Sequence, residues 1–143
     1  MLNRAPEVFK KNIRTTQKID IYSLGVTFYI IITHENPIQA SSYEQFQIMM
    51  AQMKFIDRPS IIKDDLLWDF LSKLLEFDPN KRLSADEALL HPYLTGSEAS
   101  ADISDNQMEL ASLAIEAEKN GDKNITEFDK NQLYIIAENE INS

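Results

Sequence analysis

Residues 18–33 read KIDIYSLGVTFYIIIT, and the fold class turns on whether this stretch is a strand or a helix. Its Ile, Tyr, Phe, Val and Thr favour a strand by propensity. Its spacing favours a helix. Polar Asp20, Ser23 and Thr27, followed by His34, recur at intervals of three, four and seven residues, which places them on one stripe of a cylinder and leaves the rest apolar. The pattern predicts a helix buried over most of its circumference.

Working outward, Ser42 and Gln45 have the form of a capping box, and Tyr43, Phe46, Met49, Met50 and Met53 share one helical face. Asp64 or Asp65 is placed to open the next helix, in which Leu66, Leu67, Phe70, Leu71, Leu74 and Leu75 form an apolar stripe. That helix must stop by Phe77 or Asp78, because Pro79 disfavours helical angles in the residue before it. Ser84 and Glu87 form a further capping box, opening a short helix that His91-Pro92 ends. Four helices with short connections, and only Gly25, Gly96 and Gly121 as glycines, indicate an all-α fold.

The small, polar residues 96–105 (GSEASADISD) read as a linker between a domain over residues 1–95 and an acidic tail over residues 106–143. Within the tail, residues 108–119 and 127–139 read as two helices around the turn NGDKN. Charge changes at the same boundary. Residues 1–95 hold 11 Lys/Arg against 12 Asp/Glu, whereas residues 96–143 hold 3 against 11, for a net charge of −9 over 143 residues. This acidity disfavours nucleic acid and anionic membranes as partners. The absence of cysteine rules out disulfides and thiol chemistry. No apolar run reaches membrane-spanning length, residues 19–32 being the longest, and a cytoplasmic chain is expected.

Spacing gives the remaining motifs their meaning. Ala5-Pro6-Glu7 is followed thirteen residues later by Asp20-Ile-Tyr-Ser-Leu-Gly25, then by Pro37, then by LLEFDPNKR ending at Arg82, then by SADEALLHPYL ending at Leu94. In order and spacing these resemble the C-terminal lobe of a eukaryotic serine/threonine protein kinase domain, from the end of the activation segment to the last helix. The resemblance implies a helical C-lobe in which Glu7 pairs with Arg82. A planar guanidinium suits this role because it holds a carboxylate through two parallel hydrogen bonds. By the same resemblance Asp20 would hold the backbone of a catalytic loop, and Gly25 would allow close approach of a neighbouring element. Asn3 and Arg4 would lie in the loop that contacts a protein substrate. Two positions depart from the pattern: Tyr22 stands where many members have Trp, and Asn3 where many have Tyr.

Phosphoryl transfer in such enzymes needs a Gly-rich loop, a strand Lys, a base Asp and a metal-binding Asp before Phe-Gly. The sequence has no G-x-G, His-Arg-Asp or Asp-Phe-Gly. The chain is therefore expected to be a C-terminal fragment of such a kinase, with no catalytic residue of its own. ATP and magnesium are implied only for the complete enzyme, and the expected partners are a protein substrate or the missing N-terminal lobe. The alternative is a non-catalytic binding module.

The tail stretch EKNGDKNITEFD resembles a degenerate EF-hand calcium loop, as in calcium-dependent protein kinases. Glu118, Asn120, Asp122 and Asp129 fall at its first, third, fifth and twelfth positions, and oxygen ligands at that spacing suit Ca²⁺. Lys123 occupies the sharp-turn position that favours Gly, and Asp129 is shorter than the usual Glu. The alternative reading of the same stretch is a solvated acidic helix, turn and helix. His34 and His91 read as structural, and the Met stripe as core.

Overall fold

The computed structural model describes residues 3–9 and 16–136. Among the described residues the regular structure is helical, with no strand. The chain divides into two compact units, Met1–His91 and Pro92–Ser143.

In the first unit a 3₁₀ turn, Pro6–Phe9, precedes α1 (Lys18–Thr33), α2 (Tyr43–Gln52), α3 (Asp65–Leu74) and α4 (Ala85–Leu89). α1 is a helix over the predicted span, so tertiary burial overrides the strand propensity of its residues. It is buried along one face rather than over most of its circumference. Ile21, Tyr22, Gly25, Val26 and Tyr29 face inward, whereas Leu24 and Ile31 remain 41% and 62% exposed. The helix ends at His34, whose φ of 58° is left-handed and whose N–H donates to the Ile30 carbonyl at 2.8 Å.

Capping follows the sequence closely. Ser42 Oγ accepts the Gln45 N–H at 3.1 Å, but Gln45 Oε1 accepts from Ser41 rather than Ser42, shifting half of the expected box by one residue. Asp64, not Asp65, caps α3 through the N–H groups of Leu66 and Leu67. The Ser84–Glu87 box is complete, and its backbone and hydroxyl hydrogen bonds hold the Glu87 carboxyl below its ordinary value.

α1 packs on α3 at Gly25, where an added Cβ would lie 2.9 Å from Leu74 Cβ and 3.2 Å from Leu75. Around that crossing, Tyr22, Val26, Tyr29, Phe46, Met50, Leu75 and Phe77 form the core. Phe9 of the 3₁₀ turn joins it, edge-on to Phe46 with centroids 5.7 Å apart.

The second unit holds α5 (Pro92–Thr95), α6 (Ser97–Ala101), α7 (Asp105–Lys119) and a 3₁₀ turn, Gln132–Tyr134. α4 stops at Leu89, before His91-Pro92 as predicted, and a new short helix starts at Pro92, in a first helical position where its missing N–H is harmless. Residues 97–101 of the expected linker form a helical turn, and α7 begins earlier than predicted because Ser104 and Gln107 make a capping box. α7 ends in a Schellman motif: Gly121, at φ 98°, donates to the Glu118 carbonyl and Asp122 to that of Ala117, each at 3.0 Å.

The second predicted tail helix is not formed within residues 127–136. Asn131 accepts the Leu133 N–H at 3.1 Å and starts a 3₁₀ turn there, a local side-chain bond that competes with the helix ladder. Residues 137–139 of that prediction lie outside the described residues. No helix among the described residues is long and apolar enough to cross a membrane.

Candidate functional site

Two ends of the first unit meet at a buried ion pair. Glu7 sits on the 3₁₀ turn and Arg82 follows the Asp78-Pro79 turn, 75 residues later. Arg82 Nη1 donates to Glu7 Oε1 at 2.7 Å and Nη2 to Oε2 at 2.9 Å, with both residues at most 2% exposed. This is the fork geometry that guanidinium and carboxylate prefer.

Two further guanidinium hydrogens go to backbone. Arg82 Nε donates to the Glu76 carbonyl at 2.8 Å, and Nη1 also donates to the Lys18 carbonyl at 2.6 Å. The Tyr22 ring lies under the cation, 5.0 Å from Cζ, and Phe77 packs edge-on against Tyr22. Arg82 therefore ties together the 3₁₀ turn, the start of α1 and the α3–α4 loop. Burial pushes the Tyr22 hydroxyl above its ordinary value, with nearby Arg82 opposing and Glu7 adding to the shift. That hydroxyl has no hydrogen-bond partner among the described residues.

Two further ties were not legible as motifs. Lys18 Nζ donates to the Arg82 carbonyl and lies 3.8 Å from Glu87. A cation in the first turn of a helix opposes the helix dipole, and this was the available signal that Lys18 is held by other groups. Ser23 Oγ donates to the Asn3 carbonyl at 2.9 Å, fixing the segment before Ala5 against α1.

The other sequence-predicted residues divide clearly. Ala5 and Pro6 are buried beside the ion pair, while Asn3 and Arg4 are exposed. Asp20 is exposed on the first turn of α1 and has no side-chain hydrogen bond to any described residue. Gly25 lies in the core at the crossing with α3.

The tail residues are not brought together. Glu118 pairs with Lys130 at 2.7 Å, Asp122 Oδ1 accepts the Asn124 N–H at 2.9 Å, and Asp129 Oδ2 accepts the Thr126 N–H at 2.7 Å. Asn120 terminates α7. Hydrogen bonds from Thr126 hold the Asp129 carboxyl below its ordinary value. Among the described residues no three His, Cys, Asp or Glu side chains are grouped to hold a metal ion.

The chemistry of the Glu7–Arg82 site is positional. Both carboxylate oxygens are engaged by the two arms of the guanidinium. Its effect is to hold residues 3–9 on the helical core.

A family model described as "Protein kinase domain" matches residues 3–94. Serine/threonine-protein kinase H1 homolog of Danio rerio is 32% identical over 99 residues, covering 68% of this chain and 23% of that protein. Calcium-dependent protein kinase 11 of Arabidopsis thaliana is 35% identical over 100 residues, covering 68% and 20% respectively. Calcium-dependent protein kinase 27 of Oryza sativa is 36% identical over 100 residues, covering 68% and 16%. The chain thus spans about a fifth of the length of the curated relatives it matches. With the buried Glu7–Arg82 pair inside the matched region, the chain belongs to the protein kinase domain family.

Proposed function

We propose that this chain supplies the substrate-loop support of a serine/threonine protein kinase and does not itself transfer phosphate. The observation that carries this is the buried bidentate Glu7–Arg82 pair, which fastens residues 3–9 to the helical core. Asn3 and Arg4 project from the fastened segment into solvent, where a protein substrate has access to them. Phosphoryl transfer depends on positioning and on charge stabilisation by metal and cationic groups around the nucleotide. In the complete enzyme those groups would act on ATP and magnesium, with protein Ser or Thr hydroxyls as acceptors. The motifs that supply them are absent from this sequence.

A phosphate-transfer assay with labelled ATP, magnesium and casein tests the proposal. No transfer above background is expected from the purified chain. Transfer that copurifies with the chain and disappears in Asp20→Ala would contradict it.

A further inference from the structure

A small cavity of about 150 Å³ adjoins the α3–α4 loop on the side of the segment that follows α2 and contains neither Glu7 nor Arg82 in its lining. Ile56 and Leu75, both nearly buried, line its interior, and Phe55 lines it while remaining 67% exposed. Ser72, three lysines and one glutamate complete the lining, the charged residues being Lys54, Lys73, Lys81 and Glu76. The local charge is therefore positive, on a chain whose net charge is −9.

Existing contacts do not use up this positive charge. Lys73 is paired with Asp69 at 2.7 Å, and Glu76 Oε1 accepts the Asp78 N–H at 3.1 Å. Lys54 and Lys81 have no ion-pair partner among the described residues. Three residues after Phe55 the chain enters a braced loop. Arg58 donates to the carbonyls of Ile62 and Lys63 and to Asp65 Oδ1, closing residues 58–65 into a fixed loop.

We propose that this cavity receives a carboxylate side chain from an acidic segment of a partner protein, with an apolar residue beside that carboxylate resting on Phe55. The volume suits one side chain, the two unpaired ammonium groups complement its charge, and the exposed ring offers the apolar contact. Lys54 and Lys81 also border a wider groove, whose lining includes Met50, Met53 and Phe77 together with the carboxylates Asp20, Glu76 and Asp78, so the acidic segment is expected to be held at the cavity rather than along the groove. The inference does not depend on the kinase reading.

Fluorescence anisotropy with the full chain and a fluorescein-labelled peptide of repeated Leu-Glu pairs tests it. The peptide is expected to bind, and to bind less well as salt is raised. A Lys54→Glu/Lys81→Glu variant should lose about tenfold or more in affinity. Phe55→Ala should lose several-fold, and Lys119→Glu on α7 should bind as the parent does, all with unchanged circular dichroism. The proposal is overturned by no binding of the Leu-Glu peptide, by equal binding of a Leu-Lys peptide, or by undiminished affinity in the double variant.

Discussion

Arg82 and Tyr22 show what burial does to a polar residue. The guanidinium at position 82 places four of its five N–H groups on Glu7 and on the carbonyls of Lys18 and Glu76. The Tyr22 hydroxyl beneath it has no partner among the described residues. An unpaired buried hydroxyl costs about 1–3 kcal/mol, so Tyr22→Phe is expected to stabilise the fold by about 1 kcal/mol in urea denaturation. The variant also has a pH signature. Burial raises the folded-state pKa of Tyr22, so above the ordinary tyrosine value of about 10 the unfolded chain loses a proton that the folded chain keeps. Stability should therefore be flat in this respect below that pH and fall above it, by up to about 1.4 kcal/mol per pH unit. Tyr22→Phe should flatten that decline, leaving a shallower slope from Tyr29, whose pKa burial also raises. An alkaline limb identical in parent and variant would contradict the account. At this scale the Glu7–Arg82 pair was legible because spaced motifs named both partners. The Lys18 and Ser23 ties were not, because each ends on a backbone carbonyl, which carries no side-chain identity.

Helices were legible where caps and periodicity agreed, as in α3, where Asp64 and the Leu stripe both set the boundaries. They were missed where one short-range bond decided the outcome. Ser104–Gln107 starts α7 inside a stretch whose composition suggested a linker, and Asn131 starts a 3₁₀ turn where periodicity predicted an α-helix. The extent of α1 was readable from polar spacing, but its covered circumference was not, because that depends on which elements pack beside it. Gly25 marks the packed side. In an exposed helix Gly→Ala gains about 1 kcal/mol. Here the new methyl would meet Leu74 Cβ at 2.9 Å, and overpacking costs about 1–3 kcal/mol. Gly25→Ala should therefore destabilise, by up to about 2 kcal/mol. A stabilising substitution, measured by urea denaturation, would show that α1 and α3 are not in close contact.

For the whole molecule, the kinase relationship concentrates in the first unit, and the acidic excess in the residues that follow. The matched region holds a clamp that fixes residues 3–9 and a close helix crossing, and it exposes Asp20 on the first turn of α1. The clamp joins positions 75 residues apart, so it reports on closure of the entire first unit. The most direct measurement is a double-mutant cycle on Glu7→Gln and Arg82→Met, read by urea denaturation. Each single variant should lose about 3–5 kcal/mol, because it leaves the other charge buried and unpaired. The double variant should lose far less than the sum, giving a coupling of about 2–3 kcal/mol. Single losses below about 0.5 kcal/mol that simply add would contradict the account.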